Sequence, residues 1–169
     1  MDPFPVVALV GDKLDRCRQR VQQETLGHRG RSGDPLYGIR RVARTRAGLL
    51  TGKQQHRLAK VFADQRHVAF EVTWSLYQDV IDAYQADQPA EGKKIMTRLI
   101  DSIHSGVPTG LDELRSLGQT MTRRRDDILA FFDHPGTSNG PTEAVNGALH
   151  NPRCSWGLNP PVSSRLRAM

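Results

Sequence analysis

Along the start of the chain Val7, Val10, Leu14, Cys17 and Val21 recur at spacings of three and four, which is one face of a helix. Pro5 falls in or before its first turn, where a missing N–H costs little. A short strand over 6–10 with a helix starting at Asp12 is the alternative; the unbroken spacing favours one helix. Residues 27–39 are rich in Gly, Arg and Ser and read as a loop. Arg40, Arg41, Arg44 and Arg46 come next, with little apolar support around them. A helix over about 51–64 follows, with Leu58, Val61 and Phe62 facing one way and Thr51 placed to cap it.

The clearest helix carries Phe70, Trp74, Tyr77, Ile81 and Tyr84 and ends at Gln88-Pro89. At helical spacing such an aromatic stripe belongs to a core rather than to a base-stacking platform. A further helix over about 90–105 puts Met96, Leu99, Ile100 and Ile103 on one face, and Gly106, Pro108 and Gly110 break it. One long helix over 111–132, carrying Leu114, Leu117, Met121, Ile128 and Phe131, runs to the stop at His134-Pro135-Gly136. The pattern predicts that 68–132 folds as three antiparallel helices packed through Phe70, Trp74, Tyr77, Met96, Leu99, Leu114 and Ile128. A last short helix starts at Ser138 or Asn139, with Pro141 in its first turn and Glu143 near its start. Residues 151–169 hold three prolines and no periodicity, and read as a disordered or loosely attached tail.

Composition narrows the class. The chain has 169 residues, a quarter of them charged and few aromatic, which suits one soluble, mostly helical domain. No run of apolar residues reaches the roughly 18 that a membrane span needs. No basic region precedes the short apolar stretch at the start, so it is not a secretory signal. Cys17 and Cys154 lie far apart and suggest a reduced, cytoplasmic protein. The net charge of +6 is unevenly spread: residues 13–60 carry 13 Lys/Arg against 3 Asp/Glu, and residues 61–151 carry 8 against 13. The basic block points to an anionic partner, with nucleic acid leading and a solvated charged surface as the plain alternative.

Candidate chemistry is sparse. The six histidines form neither an H-x₃-H pair nor an HExxH signature, and no Walker, GxSxG or GxGxxG motif is present. Two acidic positions matter most: Asp2, before the first helix, and Glu143, in Ser138-Asn139-Gly140-Pro141-Thr142-Glu143. Carboxylates that a fold brings together can hold Mg²⁺ for phosphodiester cleavage. Each has an ordinary reading as well. A Glu in a first helical turn is favoured by the macrodipole, and an Asp at position 2 is often simply part of a frayed end. Asn146 shares a helical face with Glu143, and Asn139 caps.

The run Met1-Asp2-Pro3-Phe4-Pro5-Val6-Val7 resembles the D-x-F-H-V segment of DDE transposases of the ISL3 group of insertion sequences. The stretch Asp34-Pro35-Leu36-Tyr37-Gly38-Ile39-Arg40-Arg41 resembles the linker that follows the next helix in that family. Thr137-Ser138-Asn139-Gly140-Pro141-Thr142-Glu143-Ala144-Val145-Asn146-Gly147 resembles the motif of its third carboxylate. The resemblance covers residues 1 to about 147, with three separated motifs in order. It implies that Asp2 and Glu143 are the second and third catalytic carboxylates and metal ligands, with Asn146 supporting them. It also implies an RNase H-like catalytic core that nicks transposon ends with Mg²⁺ and then joins a 3′-hydroxyl to target DNA.

Three departures accompany the resemblance. The sequence begins at the second carboxylate, so the strand of the first Asp and the zinc-finger and helix-turn-helix modules are not in it. Pro5 replaces the usual His. After Gly147 the sequence leaves the family pattern, as a frameshift or junction would make it do.

The resulting expectation is a mostly α chain: a helical insertion over about 48–134 plus the C-terminal remnant of an RNase H-like core within residues 1–147, and a divergent tail over 148–169. It reads as a decayed transposase fragment, inactive alone, whose weakly bound cofactor is Mg²⁺. Its partners are DNA, held through Arg40, Arg41, Arg44 and Arg46, and a second copy or an intact transposase; no membrane and no small-molecule substrate is expected. The alternative function is a non-catalytic DNA-binding module that inhibits transposition, and an unrelated helical interaction protein is the remaining one.

Overall fold

The computed structural model describes residues 3–133, all helices and connections, with no strand among the described residues. Helix α1 (Pro3–Leu26) is continuous, so the single-helix reading holds over the strand alternative. Its core stripe is Val6, Val10, Leu14, Cys17 and Val21, each buried; Val7 lies at its edge, half-buried. Gly27 ends the helix at φ 72, a left-handed conformation that costs a glycine little, and its N–H reaches the Gln23 carbonyl at 2.9 Å.

After the loop come a single-turn helix α2 (Arg40–Ala43) and α3 (Gly52–Phe62). Thr51 caps α3 as expected, in a reciprocal capping box with Gln54. A 3₁₀ turn over Gln65–His67 leads into α4 (Val68–Tyr84), which is followed by α5 (Pro89–Ser105) with proline in its first turn. No described helix is long and apolar enough to cross a membrane.

The helix expected over 111–132 is two: α6 (Asp112–Arg123) and α7 (Arg125–Asp133). Between Met121 and Ile128 the sequence is Thr-Arg-Arg-Arg-Asp-Asp. For more than a turn nothing apolar holds the helix to its neighbours. At Arg124 (φ −107, ψ 21) one N–H is shared by the Thr120 and Thr122 carbonyls, and the chain bends to follow α5. The three-helix expectation for 68–132 becomes four helices. Phe70, Tyr77, Met96, Leu114 and Ile128 are buried as expected, and Trp74 and Leu99 are half-buried against the same core.

One apolar core runs from Val6 to Phe132. Helix α1 is central to it, packing on α4, α6 and α7. It runs antiparallel to α4: Thr73 donates to the Cys17 sulfur at 3.5 Å, and the Tyr77 ring lies against Gly11. It is also antiparallel to α6. Lys13 reaches Ser116 at 2.7 Å, and Arg20 clamps both carboxylate oxygens of Glu113 at 2.9 Å while donating to the Gly110 carbonyl at 2.8 Å. At the α4–α5 crossing Gly92 is packed so closely that a Cβ there would stand 2.3 Å from the Ala83 carbonyl oxygen.

Candidate nucleic-acid interface

The basic segment is tied to α1 by two polar side chains buried in that helix. Arg18 is paired with Asp15 at 2.8 Å and donates to the Leu36 carbonyl at 3.2 Å. Gln22, fully buried, donates to Asp34 at 3.2 Å. Asp34 also accepts from the Arg31 backbone N–H at 2.5 Å, and its carboxylate lies 3.6 Å from His28. Leu36 and Ile39 plug the segment into the core, each about 1% exposed. Asp34, Leu36 and Ile39 thus account for the Asp34-Pro35-Leu36-Tyr37-Gly38-Ile39 run as an anchored loop rather than a slack one. Val42 and Ala43 are buried too, so the arginines that follow have more apolar support than the sequence pattern suggests.

The four candidate arginines divide into two kinds. Arg44 donates to the Gly11 carbonyl at 3.0 Å and to Asp12 at 2.9 Å, and its own carbonyl accepts from the Tyr77 hydroxyl at 3.2 Å. Arg46 pairs with Asp82 at 3.2 Å and donates to the Gln85 side chain. Gln78, buried in α4, completes this dock: it donates to the Thr45 carbonyl at 3.2 Å and accepts from Ala47 N–H at 2.8 Å. Arg44 and Arg46 therefore fasten the segment to α1 and α4. Arg40 is exposed and only loosely paired with Asp15 at 3.4 Å; Arg41 is exposed with no ion pair among the described residues.

Other arginines of the basic block over residues 13–60 extend this surface. Arg29 and Arg31 are exposed on the loop, Arg16 on α1, and Arg57 on α3 donates to the Gly38 carbonyl at 2.8 Å. Arg16 lies on the polar side of the α1 stripe. The spacing of Arg18 and Gln22 with Leu14 and Val21 could have marked those two as buried tethers.

Asp2, Glu143 and Asn146 lie outside the described residues, as do residues 134–169 with the predicted tail. What the structure does show is where the chain leads toward them. The α1–α4 register places the first turns of α1 level with the last turn of α4. Tyr84 in that last turn stacks on Phe132 at 5.3 Å, and Lys93 pairs with Asp133 at 2.5 Å. The start of α1 and the end of α7 therefore meet at one end of the bundle. Among the described residues no group of three His, Cys, Asp or Glu side chains could hold a metal. Burial pushes the Cys17 thiol up, which keeps it protonated and unreactive.

The family model for ISL3-group DDE transposases, described as transposase, matches residues 1–158. The chain belongs to this transposase family. No curated protein and no solved structure matches it. Family membership assigns the chain to DNA transposition, with DNA as its partner and a divalent metal in the chemistry. The match passes through all three transposase-like motifs and continues beyond Gly147 to residue 158.

Proposed function

We propose that these residues are the helical, carboxylate-bearing part of a DDE transposase. In this reading they bind DNA through the exposed arginines of the anchored loop, and Asp2 and Glu143 belong to one divalent-metal site. The observation that carries the proposal is the shared end of the bundle: α1 starts and α7 finishes beside the last turn of α4. Nine residues lie between Asp133 and Glu143. At about 3.3 Å per extended residue that stretch can return to the start of α1 from anywhere on this end. Asn146, three residues after Glu143, supports that site. The RNase H-like strands that the family fold implies would stand at the same end, outside the described residues.

Arg40 and Arg41, with Arg16, Arg29, Arg31 and Arg57, carry the DNA contact, and Arg44 and Arg46 hold the surface in place. Contacts of this kind go to phosphates, so binding is weak in sequence preference and falls steeply with salt. The motif resemblance assigns Asp2 and Glu143 as two of three carboxylates, and two-metal chemistry needs carboxylates on both ions. The test combines purified chain, Mg²⁺ or Mn²⁺ and supercoiled DNA carrying matching transposon ends. Salt-dependent binding without nicking is the expected result. Nicking that disappears in Glu143→Gln would show a complete site, with the third carboxylate supplied by a second subunit.

A second reading, a non-catalytic module that binds DNA or an intact transposase and inhibits transposition, is favoured by one observation. The basic surface is held in place by Arg18, Gln22, Arg44 and Arg46, whose partners include neither carboxylate. Inhibition of an intact relative that survives Glu143→Gln but is lost in Arg41→Ala supports that reading.

A further inference from the structure

Among residues 5–133 Tyr37 is the one Phe, Tyr or Trp side chain that the fold leaves mostly in solvent, at 53% exposure. It is not on a slack segment. Its neighbours Leu36 and Ile39 are locked into the core, and its other flank is packed on Gly30. Gly30 has φ 112, and a Cβ there would stand 2.7 Å from the Tyr37 ring, so the site needs glycine on both counts. The ring is thus set against the Gly30 backbone while more than half of the residue stays exposed. Around it the cations gather: Arg29 and Arg31 bracket Gly30 in sequence, Arg57 lies against Gly38, and Arg40 and Arg41 follow Ile39. None of Arg29, Arg31 and Arg41 has an ion pair with a described carboxylate.

A pre-oriented aromatic face set among arginines suits a nucleic acid with a base available for stacking. Paired, stacked DNA offers the arginines its phosphates but offers the ring nothing, because its bases have no free face. We infer that Tyr37 stacks on an unpaired base, so that this surface selects DNA with locally disrupted pairing over intact duplex. The inference rests on the DNA-binding reading above and adds the kind of DNA. Ordering cost favours it: the ring packs on Gly30 between the buried Leu36 and Ile39, which reduces the freedom lost when a base settles on it.

The test uses the full chain with fluorescent duplex, the same duplex carrying a short central bubble, and the corresponding single strand. Bubble DNA should bind more tightly than duplex. Tyr37→Ala should lower bubble affinity about tenfold while leaving duplex affinity unchanged, and Tyr37→Phe should restore it. A 2-aminopurine placed in the bubble should be quenched by the wild-type chain and by Tyr37→Phe, and not by Tyr37→Ala. Unchanged melting temperatures for both variants confirm that the fold is intact. If duplex and bubble bind equally, or if Tyr37→Ala weakens both alike or neither, the stacking inference is overturned while the DNA-binding reading stands. If no DNA binds at moderate salt, both are overturned.

Discussion

Gly92 sits where α4, α5 and α7 close the end of the bundle that leads toward both acidic segments, and Gly92→Ala tests that closure. An alanine Cβ would lie 2.3 Å from the Ala83 carbonyl oxygen and 2.8 and 3.1 Å from two carbons of the Phe132 ring. Ordinary contact begins near 3.4 Å, so α4 and α5 must separate by about an ångström, because a backbone oxygen has no rotamer to adopt. Overpacking of this kind costs about 1–3 kcal/mol, toward the upper half when backbone must move. Opposing it, alanine is favoured over glycine in a helix by about 1 kcal/mol. The net expectation is a loss of about 1–2 kcal/mol, or a melting temperature lower by roughly 4–8 °C. Gly52→Ala, in the first turn of α3, is the matched control: nothing lies within 4 Å of its Cβ. It should leave the melting temperature unchanged or slightly raised. Thermal melts by circular dichroism on the two variants decide the matter. If Gly92→Ala melts with or above Gly52→Ala, the helices do not approach as described.

Three further outcomes follow from particular contacts. Arg18→Ala removes the closest cation of the half-buried Asp15, which keeps Gln19 and Arg40, and frees the Leu36 carbonyl, so it should destabilise by about 1–2 kcal/mol and speed amide exchange over residues 34–38. Arg41→Ala should leave the melting temperature unchanged and reduce the salt slope of DNA binding by about one, whereas Arg46→Ala, which loses Asp82 and Gln85, should lower the melting temperature. Burial pushes the Glu113 carboxyl up, but the Arg20 hydrogen bonds and charge outweigh it and hold it below its ordinary value of 4.5. Its contribution is therefore whole above that value and is lost as pH falls through the lower folded one. Wild type should lose stability over that acidic window, and Glu113→Gln should show a flatter profile there.

Much of the helical part was legible because it depends on local periodicity. The stripe from Val10 to Val21, the Thr51 cap and the Phe70–Ile81 face are all decided by side chains within a few turns of one another. The break at Arg124 was obscured because Met121 and Ile128 are seven apart and look continuous on a heptad; only the missing apolar residue between them marks the bend. The central position of α1 depends on partners more than fifty residues away, Thr73 and Tyr77 among them, which spacing within α1 cannot reveal. The division of the arginines was hidden for the same reason. Arg41 and Arg46 look alike in sequence, and only the arrival of Asp82 from α4 distinguishes them. Asp2 and Glu143 were reached through family motifs, since nothing in their local pattern distinguishes a ligand from a helix-start carboxylate.

The account turns on one claim of topology: the segments bearing Asp2 and Glu143 leave the bundle at the same end. The most direct measurement is a pair of spin-label distances. Labels at Ala8 and Ala130, both exposed, mark the first part of α1 and the last of α7; a label at Ser105 marks the opposite end of α5. Cys154→Ser removes one of the two native thiols, and the other, Cys17, is buried. Ser105 lies about nine residues along α5 from the level of Ala130, or about 14 Å at 1.5 Å per residue. The account predicts that the Ala8–Ala130 distance is clearly the shorter and the Ser105–Ala130 distance the longer. Equal distances, or the reverse order, would place the two acidic segments apart and contradict a shared site.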